Sequence, residues 1–293
     1  MRTIVLKSPA KLNLILKVVG KRDDGFHELV TLFERINLCD EIRLKNNPTG
    51  QIRIFCSHPH VPKGSRNLVY KVAQLLQQDF GLANGVDIAI KKQIPIAAGL
   101  AGGSSNAATV LRGLNELWGL KLNRKELIHY AQIIGSDVAF FLYDRSWALG
   151  TGRGDRIRQI AIQPKFWHVL VVPCIKMHSK QIFTNLHAPT VSVRNLGLTK
   201  IIDGVNILIR HLRRNDLQKA GTHLFNDLEI PILRMRPELA RLKSKLRGLR
   251  PYGTVFSGSG PAIFALTESE KQAQGFRALL KRYYHQVFVV RTL

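Results

Sequence analysis

Residues 94–106 read IPIAAGLAGGSSN, an uncharged run of mostly small residues in a chain that carries 44 Lys and Arg. Gly99, Gly102 and Gly103 lead into Ser104, Ser105 and a helical pattern, and such a loop can bind phosphate. Small residues let the backbone approach an anion, successive N–H groups converge on it, and the following helix N-terminus adds partial positive charge. The same residues could instead make only a turn and a helix cap, with Ser104 or Ser105 accepting from orphan N–H groups. No G-x-x-x-x-G-K-[ST] loop is present, no G-x-G-x-x-G follows a strand, and the H-R-D of protein kinases is absent. Two other places put polar chemistry in apolar surroundings. Lys11 and Asn13 share one face of an alternating stretch whose other face is Ala10, Leu12, Leu14, Leu16 and Val18. Gly135 ends a helical pattern and delivers the chain abruptly to Ser136 and Asp137.

The elements that must hold these residues are legible in outline. A strand carrying Lys11 is followed by a turn-rich GKRDDGFHE at 20–28, and further strands are expected at 36–44, 51–56 and 86–92. Leu68, Val72, Leu75 and Leu76 predict a helix capped by Asn67 and stopped at Gly81. Ala107, Val110, Leu111, Leu114, Leu117 and Trp118 recur at three and four, and a further helix spans about Arg124 to Ile134 with Asn123 as its cap. The second half predicts a strand at 167–172, a helix-rich stretch, strands at 252–257 and 262–266 around a tight GSGP loop, a helix from about Glu268 and a strand at 286–291. A small sheet backed by helices follows, with a boundary near 155–165, giving domains of 1–160 and 161–293.

Composition bounds the function. With 293 residues, 45% apolar and 22% charged, the chain is long enough for two cored domains without staples. The formal charge of +24 attracts polyanions of any kind, but no arginine-rich tail or nucleic-acid motif accompanies it, so solvated basic helix faces are the simpler reading. Cys39, Cys56 and Cys174 lie in apolar stretches without C-x-x-C pairing, and are expected to be buried, reduced thiols of a cytoplasmic protein. Lys7 and Lys11 interrupt the apolar N-terminus, which is not the pattern of a signal peptide, and no run of about eighteen apolar residues suggests a membrane span.

PIAAGLAGGSSNAA resembles the P-x-x-x-G-L-G-G-S-S loop of the GHMP kinases, small-molecule kinases named for galactose, homoserine, mevalonate and phosphomevalonate. SPAKLNLILKV at 8–18 and SGSGPAIFAL at 257–266 match two further motifs of that family, in order. RDDGFHELVTLFERINL at 22–38, GSDVAFFL at 135–142 and FNDLE at 225–229 look like its branch acting on 4-diphosphocytidyl-2-C-methyl-D-erythritol, a cytidine-linked sugar alcohol of the non-mevalonate route to isoprenoids. Another GHMP branch, of mevalonate or homoserine type, is the alternative.

The resemblance implies an α+β two-domain GHMP kinase fold: an N-terminal domain like domain 2 of ribosomal protein S5 and a ferredoxin-like C-terminal domain. It implies an ATP site on Asn67, Pro95, Ile96, Ala97, Ala98, Gly99, Leu100, Ala101, Gly102, Gly103, Ser104 and Ser105, and a catalytic pair of Lys11 and Asp137. Asn13, Phe26, His27 and Phe183 match acceptor positions, the aromatics beside the cytosine ring. Mg2+ would accompany ATP without a dedicated protein cage, and the partners would be ATP and a cytidine diphosphate-linked sugar alcohol, with no specific nucleic acid and no membrane. Ala101 stands where the family usually has Gly, so the loop is expected to avoid a positive φ there.

Overall fold

The computed structural model describes residues 2–186 and 198–293. The chain forms two compact units, one of Met1–Ala10, Leu38–Ile96 and Ala101–Asp144, the other of Lys11–Asn37, Ala97–Leu100 and Arg145–Leu293. Two long strands, β1 (Thr3–Lys21) and β2 (His27–Asn47), contribute to both. The strand expected at 36–44 is therefore the middle of a longer one, and His27 opens it. Residues 10–16 of β1 and 28–34 of β2 are buried on both faces, which erases the alternation by which their extent could be read.

In the first unit, β3 (Ile52–Cys56) pairs in parallel with β4 (Gly85–Lys91), and β4 pairs antiparallel with the far end of β2, Glu41 opposite Lys91. Helix α1 (Leu68–Asp79) buries Val69, Val72, Ala73 and Leu76, one stripe at helical spacing, and starts at Asn67, whose Oδ1 accepts from Val69 N at 3.1 Å. Helix α2 (Gly102–Leu117) follows the glycine-rich loop. A Cβ on its Gly113 would lie 2.4 Å from Leu44 Cδ1 and 2.9 Å from Leu6 Cδ1, so the missing side chain is what lets α2 settle onto the strands. Helix α3 (Arg124–Ile134) is opened by a capping box of Asn123 and Glu126, and a buried 3-10 turn, Ala139–Leu142, packs against α2 and α3.

In the second unit, β2 pairs antiparallel with β5 (Trp147–Gly152), which forms a hairpin with β6 (Arg156–Ile160) that the Gly- and Arg-rich sequence does not announce. Beyond β7 (Trp167–Val172) come α4 (Ser179–Thr184), α5 (Leu198–Arg213), α6 (Leu217–Thr222), β8 (Phe225–Asn226), α7 (Glu229–Met235) and α8 (Glu238–Gly248). Strands β9 (Gly253–Phe256) and β10 (Ile263–Thr267), helix α9 (Glu270–Leu280) and strand β11 (Gln286–Arg291) complete the chain. Strand β8 adds in parallel to β1, Ile15 opposite Phe225. The second sheet has the order β11-β7-β10-β9, antiparallel throughout, and with helices after β7 and between β10 and β11 it has the expected ferredoxin-like arrangement. Val169, Val171, Ile263 and Ala265 from this sheet pack with Leu239, Leu242 and Leu246 of α8, each large aliphatic contributing about 1.5–3 kcal/mol.

The cysteines correct an expectation. All three are free, but Cys39 and Cys56 are only half-buried and Cys174 is exposed, because apolar neighbours in sequence do not decide which way a residue faces in a strand or in a loop. Among the described residues, no helix is long and apolar enough to cross a membrane.

Candidate active site

The glycine-rich loop has an unusual backbone. Ala97, Gly99 and Ala101 all have positive φ, 51°, 75° and 52°. Left-handed residues at alternate positions curl a chain so that its N–H groups face inward, which makes a concave seat for an anion. Ala101 thus overturns the expectation that it would avoid this region: its φ is 52° and its ψ 30° despite a cost of about 1–2 kcal/mol for a residue with a Cβ. Its neighbours hold it there, since Leu100 is buried and its carbonyl accepts from Lys11 N at 3.2 Å.

Helix α2 begins at Gly102, ahead of the expected start near Ser104, and its N-cap is Ala101, with no side-chain cap and no acidic residue in the first turn. The capping alternative for the serines therefore fails. Ser105 is buried and points inward, its Oγ 2.8 Å from Ser8 Oγ, which also lies 2.7 Å from Asn106 Oδ1. Among the described residues, no side chain caps the N-terminal N–H groups of this sixteen-residue helix, the arrangement that suits an outside anion.

Gly103 belongs to the bare surface of the loop. It is exposed, and a Cβ there would meet no atom within 4 Å. Gly103→Val is therefore expected to fold normally and to raise KM for ATP by at least about tenfold, about 1.4 kcal/mol of lost binding. Unchanged ATP affinity would show that the loop is only a turn.

The approach to the loop is held by a buried carboxylate. Asp40 of β2 accepts from Gln93 N at 2.7 Å and Ile94 N at 2.8 Å through Oδ1, and from Lys92 Nζ at 2.8 Å through Oδ2. Lys92 also donates to the Ile94 carbonyl, and burial pushes its ammonium below the ordinary lysine range while Asp40 opposes that shift. Pro95 and Ile96 leave this fixed base directly into the loop. The only sequence signal for Asp40 is an acidic residue inside an apolar strand pattern, and its partners lie some fifty positions away.

In the second unit, Lys11 is buried, with Nζ donating to Asn13 Oδ1 and lying 5.3 Å from the Phe33 ring centroid. Asn13 is fixed in turn, its Nδ2 donating to Thr31 Oγ1 at 2.8 Å, and Thr31 donates to the Ile15 carbonyl at 2.7 Å. The SGSGP loop closes on the same place. Ser257 Oγ donates to the Gly99 carbonyl at 3.0 Å, Ala262 N donates to the Ala98 carbonyl at 3.2 Å, and a Cβ on Gly258 would lie 3.5 Å from Lys11 Nζ. Asn226 and Asp227 of FNDLE hold this assembly: Asn226 Nδ2 donates to the carbonyls of Phe256 and Gly258 at 2.9 and 2.8 Å, and Asp227 accepts from Val18 N at 2.7 Å. The SGSGP segment is both a hairpin turn and part of the wall around Lys11.

The remaining expected residues fall as follows. Asn67, Pro95, Ile96, Ala101 to Ser105 and Asp137 belong to the first unit, and Lys11, Asn13, Phe26, His27, Ala97 to Leu100 and Phe183 to the second. Asn67 spends both ends of its amide on local structure, capping α1 and donating to the Pro62 carbonyl at 2.7 Å. Asp137 is half-buried in the turn between α3 and the 3-10 segment. His27 and Phe183 meet, their ring centroids 5.2 Å apart, whereas Phe26 is 53% exposed, with the Arg153 guanidinium 5.0 Å from its ring centroid. Burial, with help from the nearby Lys21 charge, holds the His27 imidazole below the ordinary histidine range.

Known proteins resemble the chain along nearly its whole length. The GHMP kinases N terminal domain matches residues 67–145, and the GHMP kinases C terminal domain matches residues 208–286. A 4-diphosphocytidyl-2-C-methyl-D-erythritol kinase from Exiguobacterium sibiricum is 38% identical over 291 residues, covering 99% of this chain and 98% of the relative. One from Bacillus velezensis is 40% identical over 290 residues, covering 99% and 97%. A crystal structure of 4-(cytidine 5'-diphospho)-2C-methyl-D-erythritol kinase superposes with a TM-score of 0.78 at 30% identity, covering 99% of this chain and 100% of the other. The chain belongs to the GHMP kinases, and within them to the 4-diphosphocytidyl-2-C-methyl-D-erythritol kinase family.

Proposed function

We propose that this chain transfers the γ-phosphoryl group of ATP to the 2-hydroxyl of 4-diphosphocytidyl-2-C-methyl-D-erythritol, a step of isoprenoid precursor synthesis. The observation that carries the reading is the convergence on buried Lys11 of the Asn13 amide and the SGSGP loop at its ammonium and of the Leu100 carbonyl at its backbone N–H, with Ser257 of the SGSGP loop bonded to Gly99. The acceptor oxygen forms a bond to the γ-phosphorus, the bond from that phosphorus to the bridging oxygen breaks, and ADP leaves with the electron pair. Asp137 takes the hydroxyl proton. Lys11 supplies fixed positive charge, and the loop N–H groups and the α2 terminus seat the phosphates. Nucleotide binding is assigned to 1–160 together with this wall, and acceptor recognition draws on 161–293 through Phe183.

Magnesium enters as the ATP complex. An ion of this kind keeps several water ligands and binds through the substrate phosphates. We place the reaction in the cytoplasm.

Cytosine is read by His27 and Phe183. A neutral imidazole offers one donor and one acceptor to a base edge, and the depressed pKa keeps His27 neutral at neutral pH. Binding that needs the neutral ring is complete above that pKa and is lost as pH falls through it, so KM for the acceptor is expected to rise at acid pH in wild type and to lose that rise in His27→Ala. Phe183→Ala is expected to raise the same KM roughly tenfold, within the 1–3 kcal/mol of a lost stacking contact, with ATP binding unchanged. The test is a coupled assay with cytidine and uridine acceptors, mevalonate and homoserine. Equal use of the two nucleotides, or brisk turnover of mevalonate or homoserine, would overturn the assignment of acceptor.

A further inference from the structure

Phosphoryl transfer uses little of the +24 charge, and one place in the second unit concentrates the excess. Helix α5 carries Asn206, Ile209, Arg210 and Arg213 at spacings of three and four, which puts them on one face. Strand β6 carries Arg158 and Ile160, two apart and so also on one face. These faces enclose a cavity of about 370 Å³, completed by Arg214 just beyond the end of α5. Its floor is apolar, since Ile160 and Ile209 are buried, and its rim is four exposed arginines. Arg213 Nε donates to the Ala161 carbonyl at 2.9 Å, tying the helix to the chain after β6.

Among the described residues none of the four guanidiniums pairs with a carboxylate. Asp203, the acidic residue of α5, does not line the cavity. Four like charges around one concavity repel one another, and a multivalent anion relieves that repulsion. Guanidinium forks match phosphate oxygens two at a time, which a single ammonium cannot do. The volume suits a small molecule, at the low end of ordinary ligand pockets, and the isoleucine floor can receive an apolar substituent. We infer that the basin between β6 and α5 binds a diphosphate-bearing small molecule, at a site that shares no residue with the candidate active site.

Inorganic diphosphate is the probe, titrated calorimetrically into the full chain at about 0.15 M salt, where exposed charges more than about 8 Å apart are largely screened. Binding is expected, and Arg158→Gln with Arg210→Gln should weaken it by at least about tenfold, as loss of charge-assisted hydrogen bonds requires. Arg158→Lys with Arg210→Lys should fall between, keeping the charge and losing the forks. Arg213 stays in place because it also holds backbone. Melting temperature, kcat and KM for ATP should be unchanged in both pairs. The control is Arg234→Gln with Arg241→Gln, exposed arginines of α7 and α8 away from the basin, which should bind diphosphate like wild type. Equal affinity in the Arg158/Arg210 glutamine pair, or an equal loss in the control pair, would overturn the site in favour of diffuse charge. Stoichiometric displacement of diphosphate by duplex DNA would overturn it in favour of a nucleic-acid surface. None of the diphosphate-binding readouts depends on the identity of the kinase acceptor.

Discussion

Asp137→Asn is expected to lower kcat by at least about 100-fold, the low end of what a lost general base costs, while ATP affinity and melting temperature stay at wild-type values. The substitution is nearly isosteric, and backbone hydrogen bonding and apolar packing support the segment that carries it. Gly135 leaves α3 in an extended conformation, with φ at 171°, and Val138 N returns to the Gly135 carbonyl at 3.2 Å, so backbone bonds make the turn. Ala139 to Leu142 then anchor the segment in apolar surroundings. What the amide cannot do is accept the proton that the acceptor hydroxyl must lose as its oxygen bonds to phosphorus. Single-turnover kinetics with ATP saturating isolate that step, and near-normal turnover in the variant would remove Asp137 from the chemistry.

The second large effect is expected from one methyl group. Gly99→Ala places a Cβ 2.1 Å from the Ser257 carbonyl oxygen and 3.0 Å from Gly260 N, both backbone atoms that cannot step aside as a side chain would. The same residue sits at φ +75°, where a Cβ is disfavoured by about 1–2 kcal/mol before any clash. The Ala97–Leu100 segment must then separate from the SGSGP loop, and the concave backbone that depends on the alternating left-handed residues opens. Affinity for ATP is expected to fall by about 100-fold or more, some 2.8 kcal/mol, with a drop of several degrees in melting temperature. The contrast with Gly103→Val is the informative part: there the fold has room and only the ligand is obstructed. Wild-type ATP binding in Gly99→Ala would show that packing against the SGSGP loop does not shape the phosphate seat.

Local chemistry was legible in the amino-acid order alone. Asn67 and Asn123 cap the helices they were expected to cap, α3 runs from Arg124 to Ile134 and β7 from Trp167 to Val172 as their patterns predict, because a cap and an apolar stripe involve residues within a turn or two of one another. The motifs that identify the family are likewise short and contiguous. Tertiary structure decided the rest. Ala101 adopts a left-handed backbone against its own preference because Leu100 before it is pinned, and Ser105 turns inward because Ser8, almost a hundred residues earlier, offers a buried partner. Asp40 holds the base of the glycine-rich loop, and Asn226 holds the wall around Lys11, through hydrogen bonds to backbone groups that would otherwise be buried without partners. Satisfying a buried N–H or carbonyl is a demand of the folded interior, and which distant side chain meets it is settled only when the chain has closed around it.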